Sequence, residues 1–164
     1  MKITDEYPTF DVPSKLFLSK WGIFQDFLRG IDAGEMSPTR YEITYVNQIF
    51  EPKGAFPVAL ERFSPVISLR PAQHEQLVST PKALTAELEY DLPAKLGTLR
   101  VAFKQGERPA DKMEVMQVDL TARVFPTPDA PDLRDWLERA HECLALSFVS
   151  LTTKEAHEKW GRTQ

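Results

Sequence analysis

The 164-residue sequence predicts an α+β fold, in which an antiparallel sheet of four to five strands packs against an N-terminal helix and a C-terminal helix plus a short helix. Three observations predict it. Apolar residues recur every three or four positions only near the two ends of the chain, strict alternation fills the middle, and thirteen prolines cut that middle into short elements. Half-apolar strands need cover on one face only, which fits helices segregated on an antiparallel sheet. The length suits a single domain spanning 1–164, and an apolar fraction of 42% suffices for one core.

The first helix starts near Asp11, with Pro13 in its opening turn and Leu16, Phe17, Lys20, Trp21, Phe24, Phe27, Leu28 and Ile31 at helical intervals. Gly30, Gly34 and Ser37-Pro38 signal its end. Tyr41 to Phe50 then alternates, with Tyr41, Ile43, Tyr45 and Ile49 on one side and Glu42, Thr44 and Gln48 on the other. Between Glu51 and Pro81 the prolines leave room for one helical turn at Val58 to Phe63 and a short strand at Pro65 to Leu69.

Leu84, Ala86, Leu88, Tyr90 and Leu92 alternate with Thr85, Glu87, Glu89 and Asp91, and Leu99, Val101 and Phe103 alternate with Arg100, Ala102 and Lys104. Joined through Pro93 to Gly97, these runs form a hairpin whose outer faces set acids against bases. Glu114 to Phe125 is the longest strand, with Met116, Val118, Leu120, Ala122 and Val124 inward and Gln117, Asp119, Thr121 and Arg123 toward water. Asp129 is a cap for the next helix, whose stripe is Leu133, Trp136, Leu137, Ala140, Leu144 and Phe148. Thr152 and Glu155 have capping-box spacing for a last short helix that stops at Gly161.

Net charge of -4 from interspersed acids and bases gives no footprint for a phosphate backbone, so no nucleic-acid partner is expected. A single cysteine, Cys143, forms no internal disulfide and points to a cytoplasmic location. No apolar run approaches the ~20 residues of a membrane span, so a soluble protein with no membrane partner is expected.

Tyr7-Pro8-Thr9-Phe10 before the first helix, Tyr41 to Ile49, Leu120-Thr121-Ala122-Arg123, Ala140-His141-Glu142 and the ending His157 with Trp160-Gly161-Arg162 together resemble a sporadically distributed prokaryotic hypothetical-protein family of unknown function. The likeness is to the C-terminal half of its longer members. It implies a bacterial or archaeal intracellular protein and supplies no site residues. A lacking N-terminal half would expose a sheet edge or an apolar helix face, which self-association would cover.

The chemistry-bearing residues form no complete catalytic motif, so no catalytic residue is expected. His141-Glu142 and His157-Glu158 lack the second histidine of a zinc-protease helix, because Ala145 and Gly161 stand one turn on. His141 and Cys143 lie about 200° apart on a helix and would not share an ion, so neither a metal nor a cofactor is expected. Trp136, His157, Trp160 and Arg162 read as a structural or interaction corner, with Trp136 in the core and its indole N–H on a carbonyl. Tyr45, Asp119, Arg123 and His141 are the candidate ligand-binding set if the sheet curves around the C-terminal helix. The leading functional expectation is a non-enzymatic binding or protein-interaction domain, partnered by another protein or by itself. A small-molecule or enzymatic cup is the alternative, and a chaperone-like or antitoxin-like module a further one.

Overall fold

A computed structural model of the chain describes residues 9–34, 36–50, 85–107, 112, 114–128 and 131–161. The elements run α1 (Asp11–Gly30), β1 (Tyr41–Phe50), β2 (Thr85–Leu92), β3 (Gly97–Glu107), β4 (Glu114–Val124), α2 (Leu133–Leu151) and α3 (Lys154–Lys159). The strands make one antiparallel sheet in the order β1-β4-β3-β2, which gives the α+β arrangement that the periodicities predict. The candidate turn at Val58 to Phe63, the candidate strand at Pro65 to Leu69, and His74 and Arg162 lie outside the described residues.

Two compact units divide the chain, one comprising Met1–Ile43, Tyr90–Leu99 and Thr121–Gln164, the other Thr44–Glu89 and Arg100–Leu120. In the first, Leu96, Leu99, Ala122, Val124, Trp136, Leu137, Ala140 and Leu144 are buried. Trp136 is fully buried, its Nε1 donates to the Leu96 carbonyl at 3.0 Å, and its ring leans on Tyr41 at 5.6 Å. Covering an indole of this size contributes roughly 5 kcal/mol of transfer free energy at ~25 cal/mol/Å², an upper bound because a real unfolded chain already hides part of that surface.

The accepting carbonyl sits on a tight turn. Leu96 N–H donates to Pro93 O at 3.1 Å, and Ala94 and Lys95 between them take φ values of 52° and 61°. Two consecutive left-handed residues match the twist of the flanking strands, although asparagine and glycine adopt that geometry at lower cost. Gly97 follows at φ 93°, and a Cβ there would stand 1.9 Å from the Arg123 carbonyl oxygen. Only glycine allows the hairpin to close against β4 at this point.

In the second unit the core is Val101, Ala102, Met116, Val118 and Leu120. Along β1 half-buried and exposed residues alternate from Tyr41 to Ile49 as its pattern predicts, and Asn47 shares the covered phase with its Nδ2 on Val118 O at 3.2 Å. Glu87 and Arg100 pair across the hairpin, the acid-against-base arrangement expected of its outer face. Leu88 and Tyr90 of β2 remain exposed despite their apolar register.

The helix ends explain two shifts of a few residues. Asp132, rather than Asp129, caps α2, with its carboxylate accepting from Asp135 N at 2.9 Å; Asp129 itself lies outside the described residues. Thr153, one residue beyond the expected Thr152, caps α3 by accepting from Ala156 N at 3.2 Å. Thr152 closes α2 instead. Its hydroxyl donates to Phe148 O at 2.7 Å, which leaves His157 Nε2 as the donor in the 2.6 Å contact with the same oxygen. Gly161 takes the expected left-handed stop at φ 69°.

Candidate functional site

Helix α1 spans 20 residues, and none of them is buried. At ~100° per residue its surface divides into three arcs. Phe10, Ser14, Leu18, Trp21, Gln25 and Leu28 form a half-buried side. Asp11, Lys15, Asp26 and Arg29 form a charged side, where Lys15 pairs with Asp11 and Arg29 with Asp26. The remaining arc, about 140° wide, carries Val12, Leu16, Phe17, Ile23, Phe24, Phe27 and Ile31 with Lys20 near its middle. These seven apolar side chains are between 41% and 60% exposed.

The more apolar side of α1 is therefore the one that faces outward. The half-buried side includes a serine and a glutamine, whereas the exposed arc includes three phenylalanines. Scattered exposed apolar residues are ordinary on a protein surface; a stripe running the length of a helix is the kind of patch that marks an interaction site.

The residues singled out from sequence have the following surroundings. Trp136 is core, as expected. Trp160 stacks on Phe148 at 6.0 Å and lies 6.3 Å from the His157 ring, so the corner after α2 is a packed aromatic closure. His141 stacks flat on Phe10 at 4.1 Å, joining the start of α1 to the outer part of α2. Arg123 Nε donates to Glu42 Oε2 at 2.6 Å. Asp119 accepts from Gln117 at 2.8 Å and pairs with Lys104 at 3.4 Å. Tyr45 is half-buried on β1. Asp119 and Tyr45 belong to one compact unit, Arg123 and His141 to the other.

On β4 the polar register is less wet than expected. Thr121 is only 7% exposed, and the Asp119 side chain 16%. The strand lies between β1 and β3, so neighbours cover both of its flanks. Cys143 is half-buried on α2. An open depression of about 450 Å³ is lined by Asp91, Leu92, Lys95, Gly97, Val124, Phe125 and Thr127, none of them from the sequence-derived ligand set. Among the described residues no group of three or more His, Cys, Asp or Glu is placed to hold a metal ion, and no helix is long and apolar enough to cross a membrane.

The α1 stripe was only partly visible in the sequence. Periodicity marks Leu16, Phe17, Phe24, Phe27 and Ile31, yet it does not separate the arc that the fold covers from the arc that it leaves outward. The available signal is width: apolar residues extend around well over half of the helix, more than packing against one layer requires. No family model, no curated protein and no solved structure matches this chain.

Proposed function

We propose that this chain is a non-enzymatic protein-interaction domain of a cytoplasmic prokaryotic protein and that α1 is its contact element. The single observation that carries the reading is the exposed arc of Val12, Leu16, Phe17, Ile23, Phe24, Phe27 and Ile31. Leaving these side chains in water forgoes apolar transfer free energy, roughly 25 cal/mol for each Å² that a partner would cover. Phenylalanine and the branched aliphatics are the residues that fill the desolvated centre of a protein interface. The arc contains no acid and one base, which suits a protein surface better than a phosphate backbone.

A photoreactive amino acid at position 27, compared with one at Glu138 on the exposed side of α2, tests the proposal. In native cells the probe at position 27 should yield a discrete covalent adduct with a protein chain, and the probe at 138 should not. No adduct from position 27, or the same diffuse labelling from both positions, contradicts the reading.

A further inference from the structure

We infer that the partner of α1 is a second copy of this chain, joined in an antiparallel helix pair through the exposed arc; the inference rests on the reading of α1 as a contact element.

Size supports it first. Seven side chains, each about half exposed, offer roughly 700 Å² per copy and so about 1,400 Å² per pair, inside the ~1,200–2,000 Å² of stable protein interfaces. The arc runs from Val12 to Ile31, about 28 Å at ~1.5 Å per residue. It therefore supplies most of the area that a stable interface needs.

Charge then selects the partner. Each end of the charged side carries one acid and one base, Asp11 with Lys15 and Asp26 with Arg29. An antiparallel pair brings the first couple beside the second, neutral against neutral, and sets the two helix dipoles in opposition. An isologous interface needs one self-complementary patch, and an arc that is apolar apart from Lys20 meets that condition at every other position. A lipid surface is the poorer fit, because interfacial helices carry a polar face rich in Lys and Arg, whereas this one is balanced and the chain has a net charge of -4. A strongly charged protein partner would find a single charge, Lys20, on the arc to steer it.

Lys20 tunes the pair. It lies close to the midpoint of the arc, so the two copies of Lys20 approach each other near the two-fold axis. Their stems cover apolar surface while the ammonium groups reach for the rim, an arrangement that weakens the association and sets its strength.

Sedimentation velocity of the purified chain over a wide concentration range tests the inference. A monomer–dimer equilibrium is expected. Phe27→Asp should raise the dimer Kd by about a hundredfold, Lys20→Leu should lower it by about tenfold, and Leu146→Asp, an exposed residue of α2, should leave it unchanged. If Phe27→Asp fails to fold by circular dichroism, Lys20→Leu carries the test alone. A wild-type chain monomeric at every concentration overturns the inference, as does a dimer whose Kd is insensitive to position 20. An adduct from position 27 to a different protein, with a strictly monomeric purified chain, leaves α1 a contact element and overturns only the second copy. No adduct at all overturns both readings.

Discussion

Helices α1 and α2 are nearly equal in length, 20 and 19 residues, and each carries apolar residues at helical spacing, yet they serve the fold differently. Helix α2 buries Trp136, Leu137, Ala140 and Leu144, is capped by Asp132, and ends in the Thr152–His157 contact. Helix α1 has a half-buried side but no fully buried residue, and its N-cap Phe10 makes no side-chain capping bond. Amphipathicity says that a helix has a side requiring cover. It does not say whether the same chain supplies that cover.

Removing the anchor of one helix and the outermost ring of the other should break the comparison most sharply. Trp136→Ala is expected to cost about 3–5 kcal/mol in denaturant unfolding, through the cavity and the stranded Leu96 carbonyl. Phe27→Ala, measured on dilute protein, should change stability by less than about 0.5 kcal/mol. Equal losses would mean that α1 belongs to the core.

Gly97→Ala attacks the seat of Trp136 from beneath. The added methyl meets the Arg123 carbonyl and demands a left-handed backbone, and a loss of about 2–4 kcal/mol is expected by the same measurement. Asp132→Ala should cost about 1 kcal/mol by uncapping α2. Ala94→Asn should raise the unfolding midpoint by the equivalent of about 0.5–1 kcal/mol, because asparagine tolerates the left-handed φ of the turn that presents Leu96.

Elements defined by periodicity were legible in the sequence. Tyr41 to Phe50 alternates except at Val46 and Asn47 and forms β1 with those bounds; the inward residues of β4, from Met116 to Val124, are buried as their register predicts. Trp136 was legible in detail, down to an indole N–H on a carbonyl, because a buried indole must find an acceptor. Caps were less legible. Asp129 and Asp132 are both chemically able, and so are Thr152 and Thr153, so backbone geometry decides between them. The burial of Thr121 follows from the place of β4 between two neighbours, which no local pattern encodes. The left-handed pair Ala94-Lys95 has no local signal, because neither residue favours that conformation. For α1, sequence gave its apolar wealth but not the split between a half-covered side of mixed polarity and an outward arc rich in phenylalanine.

The central claim is that α1 offers its apolar arc to another copy while α2 serves its own core. Amide hydrogen exchange followed residue by residue, on one dilute and one concentrated sample, tests this most directly. The account predicts slow exchange in α2 at both concentrations and slow exchange in α1 only in the concentrated sample. Amides of α1 as protected as those of α2 in the dilute sample, with no response to concentration, would contradict it.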